Sequence, residues 1–156
     1  MTHWEDVGIE LKKFVNEHPK IKYTLEVGAG SHSFDDVIRL LGRKGISMDK
    51  DVCNIKHKDE TFDMVFGCHC FEHFVNPIGG LAECYRVLKK GGYVWFATPN
   101  PVESQTLGGD KDHIFCLFPI QMKKLLKYTG FTKYDSYIQK RGKNEHGWNV
   151  ITWGKK

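Results

Sequence analysis

The stretch Leu25-Glu26-Val27-Gly28-Ala29-Gly30 ends an apolar run with a carboxylate and two glycines one residue apart. Glycine lets a backbone turn through positive φ and lets a ligand come close where a side chain would collide. A carboxylate just ahead of such a turn suits a cationic ligand better than a pyrophosphate. A dinucleotide-binding turn of the form G-x-G-x-x-G wants a third glycine where Ser33 stands, which weakens a nicotinamide reading. A second concentration of reactive side chains lies at FGCHCFEHF, residues 66–74. Imidazole titrates nearest neutral pH, so His69 and, further along, His113 are the candidates for a general base. Cys68, Cys70, His69 and His73 also suggest zinc. Alternate residues of a strand face opposite sides, however, and no second ligand pair follows at finger-like spacing, so no metal site is expected. Glu72 and His73 read as the opening of the next helix.

The elements that must position these groups alternate along the chain. Trp4, Val7, Leu11, Phe14 and Val15 form one stripe of an amphipathic helix over 4–17. A strand follows at Tyr23 to Val27. SFDDVIRLLGRKG reads as a helix with Phe34, Val37, Ile38 and Leu41 inward, closed by Gly42 or Gly45, and ISMD as the second strand. FDMVFGC is a strand, PIGGLAECYRVLKKGG a helix, YVWFATP a strand and FPIQMKKLLKYTGF the last helix, ended by Gly130. KYDSYIQKR and GWNVITWGK read as a closing antiparallel pair. Strand, helix and strand repeated at this spacing predict an α/β fold: a mostly parallel sheet with helices on both faces. Phe115, Phe118, Phe131, Trp148 and Trp153 fall within these periodic patterns, so packing is expected of them rather than a stacking platform.

At 156 residues, 40% of them hydrophobic, the chain has room for one core, and no linker divides it. No apolar run approaches the roughly 18 residues a membrane span requires, and the N-terminus lacks the pattern of a signal peptide. Five cysteines, odd in number and set mostly among apolar residues, suit a reducing compartment, so a cytoplasmic protein without disulfides is expected. The net charge of +4 is modest and its lysines are scattered, the pattern of a solvated surface rather than a nucleic-acid footprint.

In order along the chain, LEVGAG (25–30), GISMD (45–49), ETFDMVF (60–66), FEHF (71–74), AECYRVLKKGGYVWFATPN (82–100) and HIFCLFPIQMKKLLKYTGF (113–131) resemble the class I S-adenosylmethionine-dependent methyltransferases of the small single-domain type. Each piece alone is weak, and the ordered set is specific. The resemblance implies a Rossmann-like domain over 1–156, with a cofactor-binding half over about 21–100 and an acceptor-side segment with closing strands over about 101–156. It implies methyl transfer from S-adenosyl-L-methionine to an acceptor it does not identify. Its alternative is a non-catalytic subunit that binds the same cofactor. Around that cofactor it places Glu26, Gly28, Ala29, Gly30, Asp49, Cys68 and His69. The residues agree with these roles: the glycines clear the backbone, Glu26 can reach an ammonium group, and Asp49 at a strand end can accept from both ribose hydroxyls. Asp51 is a competing candidate for the ribose. Cys68 and His69 should lie by the methionine half, and His113 in a segment over the acceptor side. The [DNS]-PP-[YFW] signature of nucleic-acid aminomethyltransferases is absent from GCHCFEH, which argues against base methylation of that kind. The loop at 100–112 is expected to cover the acceptor.

One departure from the family has consequences. Members usually place a helix and a third strand between the acidic strand end and the FD strand, whereas only KDVCNIKHKDE separates Asp49 from Thr61 here. A parallel crossover needs about a dozen residues or more. The sheet should therefore be shortened at the edge after the second strand, with at most a stub such as VCNI and a shallower adenine pocket. Asn54 is the substitute for the usual acidic contact to adenine. The uncovered edge also invites a second copy, so a homodimer is expected.

Overall fold

The computed structural model describes residues 3–30, 33–48, 51–102, 113–140 and 147–156. Its elements are α1 (His3–Glu17), β1 (Tyr23–Val27), α2 (Asp35–Leu40), β2 (Lys44–Met48), β3 (Phe62–Cys68), α3 (Pro77–Val87), β4 (Leu88–Pro99), α4 (Pro119–Tyr128), β5 (Lys133–Ile138) and β6 (Asn149–Lys155). Two 3-10 turns, Val52–Asn54 and Phe71–His73, lie between β2 and β3 and between β3 and α3. The six strands form one sheet in the order β2-β1-β3-β4-β6-β5. The first four are parallel, and β6 runs antiparallel to both β4 and β5.

Alternation along the strands divides the core between the two faces of the sheet. Leu25, Val27, Val65, Val94, Phe96 and Val150 pack with Leu81, Cys84 and Val87 of α3 and Met122 and Leu126 of α4. Met64, Phe66, Cys68, Trp95, Ala97 and Ile151 pack on the other face with Val7, Leu11, Phe14 and Val15 of α1 and Ile38 of α2. Phe131 joins the first cluster, and Trp153 packs against the second. Phe118 and Trp148, expected to pack, are instead 44% and 37% exposed, because each stands at the junction of an element with a loop.

Two boundaries differ from the sequence reading. α2 is only six residues long, closed by a turn in which Gly42 takes φ +67°, so Gly45 falls within β2. α3 ends at Val87, and Leu-Lys-Lys-Gly-Gly, good for continuing a helix as far as Lys90, belongs to β4. Tertiary pairing overrides the local preference: Glu60 and Thr61 donate their N–H groups to the carbonyls of Arg86 and Val87, and Leu88 pairs with Phe62. Asn76, not Glu72, opens α3, accepting the Gly79 N–H at 2.9 Å with Pro77 in the first turn.

β2 is an edge strand, and only the 3-10 turn at Val52–Asn54 stands where a third strand was expected to be missing or reduced. The short connection is braced by α3. Arg86 donates to the carbonyls of Ile55 and His57 at 2.9 Å each and pairs with Asp59 and Glu83, while Glu83 accepts the Ile55 N–H at 3.0 Å.

Candidate functional site

A cleft of ≈ 810 Å³ opens at the C-terminal ends of β1 and β3, the place where parallel sheets hold ligands. Gly28 and Gly30 form one wall, Asp51, Val52 and Cys53 of the 3-10 turn another, and His69, Cys70 and His73 the side towards β4. Gly28 and Gly30 take φ values of +65° and +48°. A Cβ at Gly28 would overlap that of Cys70, whereas one at Gly30 would meet nothing within 4 Å. The turn is thus held tight from beneath and open above, the shape of a backbone cradle. Gly28 and Ala29 both donate to the carbonyl of Met48, which brings the end of β2 beside the turn. Asp49 follows Met48 and lies outside the described residues, as does most of the loop at 100–112.

Glu26 is buried under this turn, 1% exposed. Its carboxylate accepts from the Ser33 hydroxyl at 2.5 Å, the Phe34 N–H at 2.9 Å and the Ser47 hydroxyl at 3.0 Å. Burial pushes its pKa above the ordinary value, and these three hydrogen bonds restrain the rise. Three of about four lone-pair positions are occupied by the protein, so Glu26 first of all ties β1, β2 and the start of α2 together. Cys68 is also buried, and Ala29 and Asn54 are not among the residues that line the cleft; Asn54 stands exposed at the end of the 3-10 turn. Burial pushes the thiols of Cys68 and Cys70 well up, with the charges of Glu26 and Glu72 adding to it, so both are inert packing groups.

His69 lies in the cleft wall at φ +49°, a left-handed conformation uncommon for any residue but glycine. Its ring is held in one orientation. The Asp6 carbonyl can only accept, so the Gln139 group facing it at 3.0 Å is the amide nitrogen. Gln139 Oε1 then accepts from Asn149 Nδ2 at 2.8 Å, and Asn149 Oδ1, 2.8 Å from His69 Nε2, must accept in turn. His69 is therefore the Nε2–H form at this end, with Nδ1 turned towards Glu72 Oε1 at 3.7 Å. Trp4 covers the imidazole at a centroid distance of 4.9 Å.

Glu72 is 1% exposed and lies beside His69. Its main-chain carbonyl accepts from Ile114 and Phe115 at 2.8 and 3.1 Å, which fastens the segment after residue 112 to the 3-10 turn. His113 Nε2 thereby stands 4.0 Å from Glu72 Oε1, and the rings of His73 and His113 meet edge to face at 5.0 Å. Sequence reasoning proposed His69 and His113 separately, and the fold sets both beside one buried carboxylate that it had read as a helix start. Asn149 and Gln139 were also missed. They sit in and beside β-strand patterns with no local signal, and only strand pairing places them behind the histidine.

Residues 31–96 match the family model described as "Methyltransferase domain". A protein of Mycolicibacterium smegmatis named "Probable S-adenosylmethionine-dependent methyltransferase" is 25% identical over 138 residues, covering 72% of this chain and 52% of that protein. The chain thus spans about half the length of the curated relative it matches. Among solved structures, a SAM-dependent methyltransferase from Archaeoglobus fulgidus superposes with a TM-score of 0.81 at 18% identity, covering 98% of this chain and 94% of that one. A methyltransferase in complex with the Haloferax volcanii Trm112 methyltransferase activator superposes at 0.67 and 15% identity, covering 98% and 93%. Over residues 31–96 the chain is thus similar to methyltransferase domains, and its fold is that of S-adenosylmethionine-dependent methyltransferases.

Proposed function

We propose that this chain transfers the methyl group of S-adenosyl-L-methionine to an acceptor held on the His69 and His113 side of the cleft. The observation that carries the reading is the cradle at Gly28–Gly30, closed below by Cys70, open above, and facing a cleft of ≈ 810 Å³ at the ends of parallel strands. When bound, the cofactor supplies a methyl group on a sulfonium, a leaving group that departs with its electron pair as a neutral thioether. The demands on the chain are then alignment and exclusion of water. The backbone of Gly28, Ala29 and Gly30 would pass beside the cofactor, Asp49 would accept from the ribose hydroxyls, and Asn54, exposed just beyond the wall formed by residues 51–53, would meet the adenine edge. His69, with the backbone of Cys68, lines the methionine half. Glu26, through the one lone pair its three hydrogen bonds leave, would take the ammonium group, directly or through water. Where the acceptor carries a proton, His69 or His113 takes it as the new bond forms.

The same reading divides the chain into a cofactor half over about 21–100 and an acceptor-side segment with closing strands over about 101–156. The exposed edge at β2 supports pairing with a second copy of the chain. No described helix is long and apolar enough to cross a membrane, and five free thiols support a reducing, cytoplasmic setting.

Titration calorimetry with S-adenosylmethionine, S-adenosylhomocysteine and NAD, repeated on Asp49→Ala, tests the reading. The expected result is micromolar binding of the first two, none of NAD, and loss of at least about tenfold in the variant, the loss of a bidentate carboxylate contact. Binding of none of the three would overturn it.

A further inference from the structure

Two imidazoles and a carboxylate converge at the acceptor end of the cleft. The ligand atoms of Glu72, His73 and His113 all lie within 4.8 Å of one another. The 4.0 Å between His113 Nε2 and Glu72 Oε1 is too long for a hydrogen bond. It is roughly half an ångström longer than the about 3.4 Å between tetrahedral ligands with bonds of about 2.1 Å, so a small inward shift of the side chains closes the set around one ion. The arrangement is built from the main chain outward: the Ile114 and Phe115 N–H groups grip the Glu72 carbonyl, so residues 42 and 43 positions apart hold a set relation. The three sites differ in exposure as an open coordination sphere requires. Glu72 is buried, His113 half-buried, and His73 exposed in the cleft wall.

We propose that Glu72, His73 and His113 form a site for a first-row divalent cation of the Zn²⁺ or Fe²⁺ kind. Two imidazoles with one carboxylate are a borderline donor set that favours such ions over Mg²⁺ or Ca²⁺, and three protein ligands leave positions open. Those positions face the cleft through His73, where a donor atom of the methyl acceptor completes the sphere. The ion then fixes the acceptor in the cleft. This last role rests on the methyltransferase reading; metal binding itself does not.

The test uses the untagged chain, stripped with a chelator and titrated with Co²⁺ alone while visible d–d absorption is followed, then with Zn²⁺ as competitor. The expected result is one Co²⁺ per chain at micromolar Kd or tighter, displaced by Zn²⁺. His73→Ala and His113→Gln, each checked for native circular dichroism, should each weaken binding by at least about tenfold. Absence of stoichiometric binding, or equal binding by both folded variants, overturns the site. The same samples are titrated with S-adenosylmethionine. Cofactor binding without metal binding would sink the site alone, and metal binding without cofactor binding would sink the methyltransferase reading alone.

Discussion

At the scale of single residues, His69 carries the most structural investment. A non-glycine residue held at positive φ persists only where its surroundings over-determine it. Here those surroundings are the His69 N–H bond to the Ala97 carbonyl at 2.8 Å, the Trp4 ring, and the amide relay from Asp6 through Gln139 and Asn149. Asn149 acts through the imidazole, as a positioning residue. Replacing it by leucine removes both side-chain bonds from a residue 1% exposed. The expected cost is about 2 kcal/mol in denaturant unfolding, from two buried bonds and a stranded Gln139 oxygen. A merely structural role predicts no more than that. A positioning role also predicts that nitrogen-15 correlation spectra will show the Nε2–H form of His69 in the wild type and a mixture of tautomers in Asn149→Leu.

At the scale of elements, the shortened edge depends on α3. Where a crossover helix and strand would have filled the space, Arg86 and Glu83 hold the connection between β2 and β3 by its main chain. Arg86→Ala should cost about 2–3 kcal/mol, because it strands two carbonyls and leaves the half-buried Glu83 carboxylate without its partner, and should expose residues 55–60 to limited proteolysis. The hydrogen bond from Arg86 holds the Glu83 carboxyl below its ordinary range against an opposing effect of burial. A depressed carboxylate contributes stability that is present above its unfolded-state pKa and lost as pH falls through the folded-state value. Unfolding free energy should therefore drop on the acid side, and Glu83→Gln should flatten that limb of the stability–pH curve. Asp63 behaves alike, since Lys89 and the N–H groups of Tyr23 and Lys22 outweigh its burial and lower it.

At the scale of the whole molecule, β2 ends the sheet on one side and β5 on the other, and among the described residues no strand lies beyond either. An open edge is a template for another chain. Light scattering over a concentration series should give twice the mass of the chain, and a monomer mass throughout would remove the homodimer. The same edge explains why the cleft's wall beyond β2 is the turn at residues 51–53 rather than a further strand.

Much of this architecture was legible in the amino-acid order. Apolar alternation marked β1 and β3 to the residue, glycines at 28 and 30 marked the cradle, and the eleven residues between Asp49 and Thr61 excluded a full crossover and strand, because chain length is a hard geometric limit. These are local or additive properties, and the sequence by itself determined them. The end of α3 was not legible, since Leu-Lys-Lys favours a helix until pairing with β3 draws it out. Nor was the cluster of Glu72 with His69, His73 and His113, or the support of His69 by Asn149, 80 residues away. No periodicity records which distant side chains will face each other. That depends on the order of strands and on main-chain bonds between loops, and only the tertiary structure decided it.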